Sequence, residues 1–278
     1  MSNHSRVASE VNDAYFTSEV SSEWAVRLLE GRGWVSDRTV TLEPCVGNGS
    51  LVRDVPGEVV GCDLIDHGYP GVIIEDYLSS SQRSVDCVFT NPPFGRMGSL
   101  AMKIMGKAMG DSDRVAMILP ASFRKISMVD KINPMFHCVL DEMLPDMNYV
   151  LPDGSVRKVV TVFQMWERRD VRRLRVKDVL HYSTWVQRVS PGDADFAFRT
   201  QGSSAGKVLD GLDYNPASTA FLKGCEERLR NHDWTTIASF TAGIPAIGLN
   251  DVAYGLWLED QGKSIDDYLN HGLLRTMM

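Results

Sequence analysis

No apolar run in this 278-residue chain approaches the roughly 20 residues that a membrane helix needs. Met1 to Glu10 hold no apolar h-region, so a secretory signal is not expected either. The five cysteines (Cys45, Cys62, Cys87, Cys138 and Cys225) show no C-x-x-C spacing, and the six histidines form no H-E-x-x-H cluster. Reduced packing thiols and no metal site are the expectation. Positive charge is short: 29 Lys and Arg against 36 Asp and Glu give a net charge of −7, which argues against a chain that coats nucleic acid nonspecifically but leaves room for a local basic face. Internal repeats, low-complexity tracts and zinc-finger-like groove-reading motifs are missing as well.

What remains suits a large α/β domain with a smaller appendage. Residues 85 to 94 form an apolar strand-like run that stops at Asn91-Pro92-Pro93-Phe94. The Asn91 side-chain carbonyl and the Pro92 backbone carbonyl are both acceptors. Two acceptors at a strand end suit the two N–H bonds of a planar amino group, and the ring of Phe94 suits the flat ring carrying it. Each proline fixes its own φ and keeps the residue before it out of the α region. The loop is therefore stiff before any substrate arrives, as positioning catalysis requires. The alternative reading is a proline-rich turn that merely ends a strand.

Thr39 to Leu42 is a second β-prone run, and it feeds Glu43-Pro44-Cys45-Val46-Gly47-Asn48-Gly49. A Gly-rich turn at the carboxyl end of a strand is where α/β sheets bind ligands. The third glycine of the dinucleotide fingerprint is absent, since Leu51, Val52 and Arg53 follow, so a ligand without phosphates is the better reading. The next strand, Glu58 to Cys62, ends in Asp63, 20 positions beyond Glu43, a spacing that commonly serves ribose hydroxyls. A third strand, Val72 to Glu75, ends in Asp76-Tyr77-Leu78, which offers a carboxylate to an adenine amino group. Each acid alone also reads as a solvated loop carboxylate.

In this order, residues 11 to 166 resemble the class I S-adenosylmethionine-dependent amino-methyltransferases, and among them the N6-adenine DNA enzymes of the γ arrangement. The resemblance carries over motif by motif. Glu43, Cys45, Gly47, Asn48 and Gly49 fall on the methionine-binding turn, Asp63 and Leu64 on the ribose-binding acid and its neighbour, and Asp76 and Tyr77 on the adenine-binding segment. Asn91, Pro92, Pro93 and Phe94 fall on the catalytic motif. Tyr15-Phe16-Thr17 looks similar to the short motif that precedes the glycine turn in this arrangement, with Thr17-Ser18 where Thr-Pro is usual, so Phe16 and Thr17 join the cofactor set. The resemblance implies a Rossmann-like α/β fold, with a seven-stranded, mostly parallel sheet whose last strand is antiparallel, and flanking helices. It also implies S-adenosylmethionine as cofactor, a DNA substrate with its adenine flipped out, and the cytoplasm of a prokaryotic or phage-infected cell, in settings such as restriction-modification. The same tetrapeptide occurs in RNA adenine and protein glutamine methyltransferases, and a noncatalytic binding subunit with this fold is a further alternative.

One local basic stretch stands out. Arg157, Lys158, Arg168, Arg169, Arg172 and Arg173, followed by Arg175 and Lys177, face only Glu167 and Asp170. They read as phosphate contacts or as a solvated charge run. They flank an expected last strand, Val159 to Trp166, whose Phe163 is a candidate aromatic near a target base, or a core residue. Elsewhere the pattern predicts a helix from Thr17 or Ser18 with Val20, Trp24 and Leu28 on one face, a Met-rich helix around Leu100, Ile104 and Ala108, and strands at 114–119 and 136–143. The catalytic domain is expected to span residues 1–170. Residues 171–278 form a carboxyl-terminal, target-recognition region with expected helices near 216–230, 250–261 and 264–273.

Overall fold

The computed structural model describes residues 16–151, 153–241 and 244–271; Tyr15 lies outside them. The chain divides into two compact units, one formed by residues 1–120 and 135–172, the other by residues 121–134 and 173–278.

In the first unit, α1 (Glu19–Gly31) starts at Ser18, whose side chain accepts from the Ser21 N–H. Its buried face is Ser21, Ser22, Ala25, Val26 and Leu29, not the expected Val20, Trp24 and Leu28 stripe, and Val20 is 58% exposed. Small residues win because they allow close approach, and the buried hydroxyls find partners: Ser22 Oγ donates to the Leu51 carbonyl at 2.8 Å. Then follow β1 (Val40–Glu43), β2 (Glu58–Asp63), β3 (Ile73–Ile74), β4 (Cys87–Thr90), α2 (Ser99–Asp111), β5 (Arg114–Pro120), β6 (Phe136–Met143), β7 (Asn148–Val150), β8 (Val156–Lys158) and β9 (Thr161–Arg168). The seven-stranded sheet has the order β3-β2-β1-β4-β5-β9-β6. β9 is antiparallel to both of its neighbours, and the pairings from β3 through β5 are parallel. This is the expected mostly parallel sheet with an antiparallel last strand.

Every residue of β4 is buried, as is every residue of β5 after Arg114, which is why these segments read as unbroken apolar runs. β9 begins two residues later than the expected Val159, and its buried stretch from Thr161 to Trp166 leaves no solvent-facing side. The order in which successive strands are added to the sheet reverses at β1, with β2 and β3 on one side and β4 and β5 on the other. A crevice forms at the carboxyl ends of strands around such a reversal. β7 and β8 make a separate hairpin, and Phe16 forms an antiparallel bridge to Val150.

The second unit contains α3 (Ile126–Val129), α4 (Val176–Val179), a four-stranded antiparallel sheet of β10 (Val186–Arg188), β11 (Phe196–Arg199), β12 (Val208–Leu209) and β13 (Thr219–Gly224), then α5 (Glu226–Arg230), α6 (Thr235–Ala238), α7 (Leu249–Asp260) and α8 (Ile265–His271). The helix expected near 216–230 is instead strand β13 followed by the short α5. Thr219 to Leu222 are buried in succession, and β13 is paired on both sides, by β10 and β11. Continuous burial favours a central strand over the helical spacing that Phe221, Leu222, Cys225 and Leu229 also satisfy. Residues 121–134, which the sequence places in the catalytic part, cluster with this unit. The Asp130 carboxylate accepts from the N–H groups of Val176 and Lys177, and the Asp251 carboxylate from that of Ile126.

Candidate active site

β1 delivers Glu43 to the crevice, and the turn beyond it is held by its own side chains. Glu43 Oε1 accepts from Cys45 N at 2.9 Å, Asp63 Oδ2 from Gly47 N at 2.8 Å, and Asp63 Oδ1 from Ile65 N at 3.2 Å. Asp63, at the end of β2, thus clamps the glycine turn as well as lining the cleft. Gly47 sits at φ 52°, and a Cβ there would lie 3.1 Å from the Phe16 ring. Glycine lets the backbone pass close beneath that ring.

Glu43 is 1% exposed. Burial pushes its carboxyl from 4.5 up to about 8, against the opposing pull of Thr90 and the N–H groups of Cys45 and Asn91. Its Oε2 and the neighbouring Thr90 Oγ1 both lack a well-formed hydrogen bond. Buried polar atoms in that state mark a place where a donor belongs.

At the end of β3, Asp76 caps a short turn, accepting from Leu78 N at 3.0 Å and Ser79 Oγ at 2.9 Å. The Tyr77 hydroxyl donates to Asp111 at 2.7 Å, so its ring is fixed and buried. The end of β4 brings Asn91, whose Nδ2 donates to Thr17 Oγ1 at 3.1 Å. That bond orients the amide, with its carbonyl oxygen as the side-chain acceptor, and ties the two ends of the proposed site together across 74 residues.

One cleft of about 860 Å³, open to solvent, is lined by Phe16, Thr17, Glu43, Cys45, Gly47, Asp63, Leu64, Asp76, Tyr77, Asn91, Pro92 and Pro93, together with residues outside the expected site set. Those include Ile65, His67, Glu75, Leu78 and Ile104. His67 meets Phe16 edge to face at 5.7 Å, a contact no local pattern signals. Ile65 lies two residues past Asp63 and was within reach of motif reasoning.

Four expected site residues lie elsewhere. Asn48 accepts from Ser50 N at 3.0 Å and shapes the turn, and Gly49, at φ 79°, passes against Tyr69. Phe94 is only 6% exposed and is not among the lining residues; its carbonyl accepts from Leu100 and Ala101 at the start of α2. Phe163 is fully buried, edge to face with Trp24 at 5.7 Å and Phe89 at 5.9 Å, so it is core. Among the described residues no group of His, Cys, Asp or Glu is placed to hold a metal, and no helix is long and apolar enough to cross a membrane.

The basic stretch does not act as one block. Arg157 and Lys158 stand exposed on β8. Arg168 lies 3.8 Å from Asp113, and Arg169 makes a two-nitrogen contact with Glu167 at 2.8 and 2.9 Å. Arg172 is exposed. Arg173 donates to the carbonyls of Val129 at 2.6 Å and Ile132 at 2.9 Å, capping the end of α3 and not offering its charge to solvent.

No protein-family model and no curated protein sequence matches the chain. Among solved structures it is similar to PH1948 of Pyrococcus horikoshii, proposed to be an RNA methyltransferase, at 18% identity over 56% of this chain and 87% of that one, with a TM-score of 0.46. It is also similar to the 23S rRNA methyltransferase ErmE, at 17% identity over 58% and 72% of the two chains and a TM-score of 0.42. A third is the M protein of the type I restriction enzyme EcoKI, at 16% identity over 56% and 44% and a TM-score of 0.43. The likeness is one of architecture.

Proposed function

We propose that the chain transfers the methyl group of S-adenosylmethionine to the N6 amino group of adenine in DNA, as an enzyme of the γ arrangement. The observation that carries this reading is that Asn91-Pro92 at the end of β4 and the Glu43-to-Gly47 turn at the end of β1 open into one cleft, with Asp63 and Asp76 at the ends of the adjoining strands. The cofactor fits what is there. Glu43 is a buried carboxyl with an unsatisfied oxygen suited to the ammonium of the methionine portion, and Gly47 permits close approach of the backbone to a ligand. Asp63 would meet the ribose and Asp76 the adenine amino group, with Leu64, Ile65 and Leu78 as the apolar walls.

Bound there, S-adenosylmethionine supplies a sulfonium methyl for direct displacement, leaving a neutral thioether. The Asn91 Oδ1 and Pro92 carbonyl acceptors hold the two amino hydrogens and favour the pyramidal geometry that frees the nitrogen lone pair. Nitrogen gains the methyl and loses one proton to water, so no covalent protein intermediate is needed. The protein supplies orientation and electrostatics. Because N6 of a paired base does not reach a recessed cleft, the adenine is turned out of the duplex. Residues 171–278 are proposed as the target-recognition part.

The test is incubation with tritiated S-adenosylmethionine and, separately, unmethylated duplex DNA, single-stranded DNA, ribosomal RNA and a protein extract, followed by digestion of the labelled product. N6-methyldeoxyadenosine is expected; label confined to RNA or protein refutes the DNA assignment.

A further inference from the structure

The loop that leaves the cleft after Pro93 presents Arg96 and Met97 to solvent. Met97 is 86% exposed, and its backbone lies at φ 55°, ψ 30°. Among the described residues it is the only non-glycine with positive φ. The left-handed region is unfavourable for an L-residue, and an exposed methionine recovers none of that cost by packing. Such an outlier at a functional cleft points to a task for the side chain.

The base of the loop is pinned. Phe94 is buried, its carbonyl accepts from Leu100 N at 3.2 Å and Ala101 N at 3.4 Å, and Gly98 N donates to the Gly95 carbonyl at 3.2 Å. Arg96 is exposed and makes no ion pair among the described residues. Met97 lies four positions beyond Pro93, so it stands within about 15 Å of the cleft wall.

We propose that Arg96 and Met97 form a finger that enters a DNA duplex as the target adenine leaves it, with Met97 filling the vacated space and Arg96 meeting an adjoining phosphate; this rests on the adenine reading of the cleft. Methionine is unbranched, polarizable and adaptable, and apolar side chains that include methionine serve as wedges between base steps. A wedge is useful only where a partner strand remains stacked, so the substrate of this site is duplex DNA. The two residues are positioning residues, since neither lines the cleft.

Met97→Gly removes the side chain while keeping the backbone conformation allowed, and Met97→Leu restores an apolar side chain. With unmethylated amplified duplex and the same DNA heat-denatured as substrates, Met97→Gly should lower kcat/KM on the duplex about tenfold or more and leave the single-stranded value within about twofold, with Met97→Leu recovering most of the loss. Equilibrium binding of a fluorescein-labelled duplex should weaken in parallel, and calorimetric affinity for S-adenosylmethionine should not change. Arg96→Gln should flatten the log-log salt dependence of duplex binding by about 0.9. Equal loss on both DNA forms, or no loss on the duplex, overturns the finger. Wild-type protein that labels neither DNA form removes the adenine reading itself and the finger with it.

Discussion

Burial pushes the Glu43 carboxyl up to about 8, which favours its protonated form at neutral pH. In the free protein that value lies above the unfolded 4.5, so proton linkage stabilises the fold below pH 4.5 and this contribution is lost as pH rises through 8. Wild-type thermal stability should therefore decline across that window relative to Glu43→Gln, which cannot titrate; parallel curves would show that the carboxyl is not buried as described. An arriving ammonium favours the ionised form. S-adenosylmethionine binding at pH 7 should release a proton to buffer and tighten towards pH 8, seen as a calorimetric enthalpy that changes with the ionisation enthalpy of the buffer. Glu43→Gln should abolish that dependence. Asn91 makes a different prediction, because in the proposed reaction its carbonyl serves the amino group: Asn91→Ala should lower kcat by about 100-fold or more with cofactor affinity nearly unchanged. Comparable loss of cofactor affinity would place Asn91 in the binding site instead.

Among the elements, the β7–β8 hairpin is where the basic stretch meets the cleft. Phe16 N donates to the Val150 carbonyl at 3.0 Å while Phe16 lines the cleft, and the hairpin carries Arg157 and Lys158 beside the exposed Val150 and Val156. Replacing Arg157 and Lys158 together with Gln should weaken duplex binding and reduce the salt slope by about 1.8 for two phosphate contacts. Arg173→Gln should do the reverse. It removes a part-buried donor to the Val129 and Ile132 carbonyls and should cost about 1 to 3 kcal/mol of stability, read by denaturant unfolding. A loss of DNA affinity without loss of stability in Arg173→Gln would return that residue to the nucleic-acid surface.

At the scale of the molecule, residues 121–134 belong with the carboxyl-terminal unit although they lie between β5 and β6. Phe123, Ile126, Val129 and Ile132 are buried, and Lys125, Ile126 and Asp130 are paired with Ala246, Asp251 and the 176–177 backbone. A fragment ending at residue 172 strips these partners from an apolar segment. It should aggregate or unfold at lower temperature than the full chain, whereas a monodisperse fragment with full-chain stability would show the segment to be self-sufficient.

Strands β4 and β5 were legible as unbroken apolar runs, because a strand covered on both faces must be apolar along nearly its whole length. The turns at the ends of β1 and β4 were legible because glycine and proline constrain the backbone wherever they occur. Three-dimensional structure alone decided which face of α1 is buried, since Ser22 Oγ finds its partner 29 residues away at Leu51. It likewise made β13 a strand, through partners on both sides that no local pattern contains, and turned Phe94 inward and Met97 outward. It also sorted the arginines, since a guanidinium capping carbonyls and one facing solvent look the same in sequence. Backbone preferences act over a few residues and can be read locally; burial and hydrogen-bond pairing are set by segments that only the fold brings together.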